Sequence, residues 1–170
     1  MKALVVYESM FGNTKQIAEA VAEGLREKLE VDMSEVGEAT TDTTGYDLVV
    51  IGGPTHAFGM SRESTRTDAT RKTADHSVIS DRIGVREWLD QLLPTTTGTA
   101  AAAFDTSGKI GWFRAGSAAK GEAAGLKDKG FRLVEPPEQF DVEGMEGPLK
   151  GGELDRARDW GRTVAAELAG

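Results

Sequence analysis

The chain has 170 residues, enough for one hydrophobic core and short for two, and its 39% hydrophobic and 28% charged residues fit a folded domain rather than a disordered one. A formal net charge of -8 argues against nucleic-acid binding, which needs a basic footprint, and suits docking to a basic protein patch. The absence of cysteine excludes disulfides, thiolate-held metal and a thiol nucleophile, and two histidines give no basis for a histidine-rich metal site, so no metal is expected. The short opening apolar run is neither a membrane span nor a signal peptide, so the expectation is a single cytoplasmic domain over residues 1–170 with no membrane insertion.

Lys2 to Tyr7 is a run of β-formers followed by the turn Glu8-Ser9-Met10-Phe11-Gly12-Asn13-Thr14 and a helical pattern. A turn of this kind aims consecutive backbone N–H groups at one point, with the positive end of a helix behind it, and can hold a phosphate without a lysine or arginine. Ile17, Val21 and Leu25 give residues 14–28 one apolar face, and Leu29 to Val36 alternates like a half-exposed strand. The aliphatic run Leu48-Val49-Val50-Ile51 predicts a strand buried on both faces. Residues 54–81 form a long polar connection of the sort that is usually functional or mobile; it has room for a short helix over Ser61–Lys72 with Arg62, Arg66 and Lys72 outward. Val85, Trp88, Leu89 and Leu92 mark the next helix, stopped by Pro94, and Thr99 to Phe104 an interior strand. Asp105 to Arg114 reads as a loop, Ser117 as the cap of a helix to Lys129, and Phe131–Val134 as a strand. Residues 135–152 read as an acidic, Pro- and Gly-rich connection, and 154–168 as the last helix. Alternation of this kind predicts one doubly wound α/β domain, with loops after the first, third and fourth strands converging on one edge of the sheet.

Those loops carry a resemblance. Tyr7-Glu8-Ser9-Met10-Phe11-Gly12-Asn13-Thr14 resembles the phosphate loop of flavodoxin-like proteins, and Gly52-Gly53-Pro54-Thr55-His56 their second flavin loop. Phe104-Asp105-Thr106 and Gly116-Ser117-Ala118-Ala119 extend the likeness to the small flavodoxin-domain proteins common in actinobacteria. The resemblance implies a three-layer fold on a five-stranded parallel sheet of order 2-1-3-4-5, bound FMN and a redox function. In that scheme Ser9, Met10, Phe11, Gly12, Asn13 and Thr14 hold the phosphate, and Pro54, Thr55, His56, Ala57, Phe58 and Gly59 flank the ring, with Gly59 free to flip its peptide. Asp105, Thr106, Ser107 and Gly108 reach the pyrimidine edge or the ribityl chain, and Trp112 or Phe113 forms the opposite wall. The spacing around that wall departs from the family's usual Asp-x-x-x-Tyr.

Arg62, Arg66, Arg71, Lys72, Lys109 and Arg114 suggest a basic rim that would favour an anionic substrate or a nicotinamide phosphate. No arrangement supports hydrolysis or acyl transfer, and no residue is expected to be a covalent catalyst. The first expectation is an FMN protein moving electrons between a reductase and an acceptor, protein or small molecule. An FMN-dependent NAD(P)H:quinone-type oxidoreductase is the alternative within the fold, with Arg62, Arg66 or Arg114 holding substrate. A flavin-free binding or regulatory module is the alternative outside redox chemistry.

Overall fold

Four consecutive buried aliphatics, Leu48 to Ile51, place β3 (Leu48–His56) at the centre of the sheet. In the computed structural model, which describes residues 1–75, 77–110, 113–114 and 116–169, β3 lies parallel to β1 (Lys2–Tyr7), paired from Ala3–Leu48 to Tyr7–Gly52. On the far side of β1 is β2 (Glu30–Glu35), also parallel; its half-exposed side chains suit an edge. On the far side of β3 is β5 (Ala100–Ile110), and beyond it the fifth position is shared by β7 (Arg132–Leu133) and β8 (Glu138–Val142), both parallel to β5. Taken as five positions, the order is 2-1-3-4-5, as expected. Two short antiparallel pieces extend it: β4 (Gly59–Met60) turns back on β3, and β6 (Phe113–Arg114) on β5.

Strand alternation sends Ala3, Val5, Leu48, Val50, Ala102 and Phe104 to one face, under α1 (Asn13–Arg26) and α5 (Glu153–Ala169). Leu4, Val6, Val49, Ile51, Ala101 and Ala103 go to the other, under α3 (Val85–Gln91) and α4 (Ala118–Asp128). Each fully buried aliphatic contributes about 1.5–3 kcal/mol. On the first face Phe104, Phe140 and Trp160 meet edge to face at centroid distances of 6.0–6.3 Å. The remaining helix, α2 (Glu63–Lys72), lies in the long 54–81 connection, and its low apolar content leaves only Arg66 buried.

Three expectations are corrected. The loop predicted from Asp105 continues as strand to Ile110, because Gly53 and Pro54 of β3 pair with Asp105 and Thr106 while β8 pairs with Phe104 to Gly108. Ladders on both sides override a polar sequence of low strand propensity. The 135–152 connection contains β8, anchored by the buried Phe140 and Val142. The predicted loop at Pro54–His56 is the end of β3, closed by a two-residue hairpin at Ala57-Phe58. Among the described residues no helix is long and apolar enough to cross a membrane.

Candidate ligand pocket

β1 runs out at Tyr7, and the chain turns through Ser9 to Gly12 into α1. Gly12 takes the left-handed conformation (φ 97°), which an L residue adopts only at a cost, and α1 begins with no side-chain cap. The first-turn N–H groups have no partner inside the helix; that of Lys15 turns back to Ser9, and the positive end at Asn13 and Thr14 is left to the neighbouring space. Ser9 Oγ accepts from Gly12 N (3.1 Å) and Lys15 N (3.4 Å), which sets the turn. A second segment pins it from outside: Ile79 N donates to Met10 O (3.1 Å), Ser80 N to Ser9 O (2.9 Å), and Ser9 N to Ser80 Oγ (3.0 Å).

The loop opens on a cavity of about 580 Å³, within the range of cofactor sites. Of the residues singled out from sequence, Ser9, Met10, Phe11, Asn13, Thr14, Pro54, Thr55, His56, Ala57, Phe58, Thr106, Ser107 and Gly108 all line it. Gly12 shapes the turn beside it, Gly59 lies in β4 next to the lining, Asp105 is fully buried one residue before the lining, and Trp112 lies outside the described residues. The three loops are tied together: Thr14 Oγ1 and Thr106 Oγ1 are 2.7 Å apart, and Ala118 N donates to Thr55 Oγ1 (2.9 Å).

The second loop differs from its sequence reading. The left-handed residues are not glycines but Ala57 (φ 43°) and Phe58 (φ 74°), which form the hairpin turn, while Gly59 is in β4. Non-glycine residues held this way cost about 1–3 kcal/mol each and cluster at functional sites. Phe58 is 71% exposed at the rim, and its backbone is bridged to that of Gly116. His56 is half-buried and faces Thr65 Oγ1 at 3.2 Å. Burial first, then the charges of Arg66 and Lys72, lower its pKa from 6.5 to about 4, so its imidazole is neutral near pH 7.

Two walls were not legible in the sequence. α2 supplies Thr65, Asp68, Ala69 and Lys72, and the turn after β8 supplies Gly144 and Met145. Asn13 Nδ2 donates to Glu146 O (3.0 Å), holding that turn against the first loop. Of the expected outward basic residues of this segment, Arg62 and Lys72 are exposed, but Arg66 is corrected: it is 4% exposed, donating to Ser61 Oγ (2.9 Å) and paired with Glu87 (2.8 Å). The side chains of Lys109 and Arg114 lie outside the described residues. Among the described residues no cluster has the make-up of a metal site.

A doubly wound parallel sheet with a pocket beyond its strand ends puts the cavity where open α/β sheets bind their ligands. More narrowly, the fold is flavodoxin-like. It superposes on a short-chain flavodoxin associated with a non-canonical PDU bacterial microcompartment with a TM-score of 0.70, at 18% identity over 99% of both chains. A flavodoxin from the domain Archaea gives 0.69 at 20% identity over the whole of both chains. In sequence, residues 4–68 match the flavodoxin domain. A 58-residue stretch is 47% identical to the flavodoxin of Aquifex aeolicus (strain VF5), covering 32% of this chain and 31% of that protein. Another, of 53 residues, is 38% identical to the flavodoxin-like domain-containing protein BilS of Clostridioides difficile (strain CD3), covering 31% and 30%. These matches thus span less than a third of either curated relative.

Proposed function

We propose that the pocket holds FMN and that the protein carries electrons in the cytoplasm between a reductase and an acceptor. The observation behind this reading is that one cavity joins the N-terminus of α1, whose N-cap residue Gly12 has no side chain, to three strand-end segments. The α1 end and the donors of Ser9, Asn13 and Thr14 suit a phosphate dianion, because amide dipoles neutralise it without a cation. The strip from Pro54 to Phe58 on one side and Thr106 to Gly108 on the other suits a planar ring. FMN would supply the one- and two-electron chemistry; the chain binds it, orients it and excludes water. His56, neutral and fixed by Thr65, can serve a polar ring edge without adding charge. Phe58 and Met145, both 71% exposed at the rim, offer an apolar contact to a redox partner.

The second reading, an FMN-dependent NAD(P)H:quinone-type oxidoreductase, draws on one feature: Lys72 of α2 lines the cavity and could hold an anionic substrate. Purified protein should show the visible flavin band and release FMN on denaturation. A colourless protein that takes up no added FMN refutes both redox readings and leaves a flavin-free module. Turnover of NAD(P)H with a quinone and no separate reductase would select the enzyme over the carrier.

A further inference from the structure

Beneath the pocket, strand parity builds a second, closed site. Glu8 follows β1, and Gly53 and Asp105 are cross-strand partners on β3 and β5; the Glu8 N–H bonds to Gly52 O. The three therefore stand in a row beneath α3 and α4. Gly53 has no side chain, and Glu122 of α4 fills the gap: a Cβ at residue 53 would lie 3.0 Å from Glu122 Oε1 and 3.6 Å from Glu8 Oε2. Glu8, Asp105 and Glu122 are 1%, 0% and 0% exposed. Glu8 accepts from Ser61 Oγ and from Val85 N (2.8 Å), and Asp105 accepts from Ser117 Oγ (2.6 Å) and Ala119 N (3.0 Å). Both carboxyl oxygens of Glu122 lack any partner among the described residues.

The charged groups facing this space are Glu8 from the end of β1, Asp105 from β5, Glu122 from α4, Glu87 from α3 and Arg66 from α2. Four carboxyls meet one guanidinium, and Arg66 is already paired with Glu87. An isolated carboxylate without a hydrogen bond in such a place is prohibitively costly, whereas a carboxylic acid is not. Burial, then the charges of Asp105 and Glu8, push the Glu122 carboxyl well above its ordinary range.

We propose that Glu122, seated over Gly53 between Glu8 and Asp105, is a buried proton-binding site linked to negative charge in the pocket above it. The start of α4 connects the two layers: Ala118 N donates to Thr55 Oγ1 in the pocket lining (2.9 Å), and the next amide, Ala119 N, donates to Asp105 below (3.0 Å). An anion entering the pocket strengthens proton binding below, and by reciprocity the proton strengthens anion binding. The linkage rests on the FMN reading; the proton site does not.

Glu122→Gln has the shape of the neutral acid. In urea unfolding of the ligand-free proteins, the wild-type folding constant should fall relative to E122Q by up to tenfold per pH unit as pH rises above the ordinary glutamate range. An infrared carboxylic-acid C=O band should be present in the wild type at neutral pH, which is readable even without a folded variant. Parallel stability curves, or no such band, overturn the site. With FMN, binding heats in buffers of different ionisation enthalpy, measured at a pH high enough that the infrared acid band has begun to fall, should show proton uptake in the wild type that E122Q lacks. Equal uptake overturns the linkage alone. No FMN binding, with the pH difference intact, overturns the linkage and the flavin reading together while the proton site stands.

Discussion

Gly116→Ala tests whether the strained hairpin shapes the pocket. Gly116 has φ +72°, and a Cβ there would lie 2.1 Å from Phe58 O and 2.6 Å from Phe58 C and Cα. Alanine in the left-handed region costs about 1–2 kcal/mol. The clash is with backbone, which no rotamer change relieves, and overpacking of this kind adds about 1–3 kcal/mol. The total of roughly 2–5 kcal/mol can be carried by the whole fold, or shed if the Ala57-Phe58 turn swings out. In the second case stability recovers and ligand affinity pays, at about tenfold in Kd per 1.4 kcal/mol. Urea unfolding and FMN titration on the same samples therefore have to be read together. Gly98→Ala is the control: φ is +67°, nothing lies within 4 Å of its Cβ, and only the conformational part is lost. If G116A and G98A match in both stability and Kd, the hairpin is not braced by Gly116 and the argument fails.

Ala57→Asn with Phe58→Gly gives the turn residues that favour positive φ; unfolding should show a gain of about 1–2 kcal/mol, with weaker FMN binding because the rim ring is gone. Unchanged stability would mean that the two residues carry no strain. Arg66→Met strips Ser61 of a buried partner and leaves the part-exposed Glu87 unpaired, and should cost about 1–3 kcal/mol, against less than about 0.5 kcal/mol for the exposed Arg62→Met. Equal unfolding midpoints would place Arg66 back on the surface. For His56, the folded pKa lies near 4 and the ordinary value is 6.5, so the unfolded chain takes the proton first as pH falls. The stability contributed by the neutral imidazole is full above the ordinary value and is lost on acidification, at up to about 1.4 kcal/mol per pH unit. His56→Gln removes that slope, and a curve parallel to the wild type refutes the assignment.

The elements legible in the sequence are those whose signal is local. The run Leu48 to Ile51, the four-residue spacing of Ile17, Val21 and Leu25, and the turn from Ser9 to Thr14 each specify their conformation within a few residues. The extension of β5 past Asp105 and the existence of β8 depend on neighbours that arrive from elsewhere in the chain. Locally, Asp105-Thr106-Ser107-Gly108 is turn chemistry and Glu138-Gln139-Phe140-Asp141-Val142 is half polar. The part played by α2 was hidden for a different reason. Its charged residues have the composition of a solvated face, and it is Glu87 and Ser61, placed by other segments, that allow Arg66 to be buried. Met145 and Gly144 lay in a segment with no periodicity, so nothing local marked them as pocket walls.

These differences move the source of the pocket's electrostatics. A basic rim was expected from Arg62, Arg66, Arg71, Lys72, Lys109 and Arg114, and such a rim would stabilise negative charge on a bound ring from outside. Arg66 is instead spent inside the protein, and Lys72 shares the lining with Asp68 of the same helix. What lies closer to the strand ends is the acid layer of Glu8, Asp105 and Glu122. An ionised layer would oppose any anion above it; a layer holding a proton opposes it less. On the linkage proposed above, proton occupancy beneath the sheet edge sets the charge that the pocket tolerates together with the exposed cations Arg62, Arg71 and Lys72. Solvent and salt screen the mouth far more than they screen the layer below. Salt should therefore change the approach of a charged partner, whereas pH should change how tightly an anionic ligand is held.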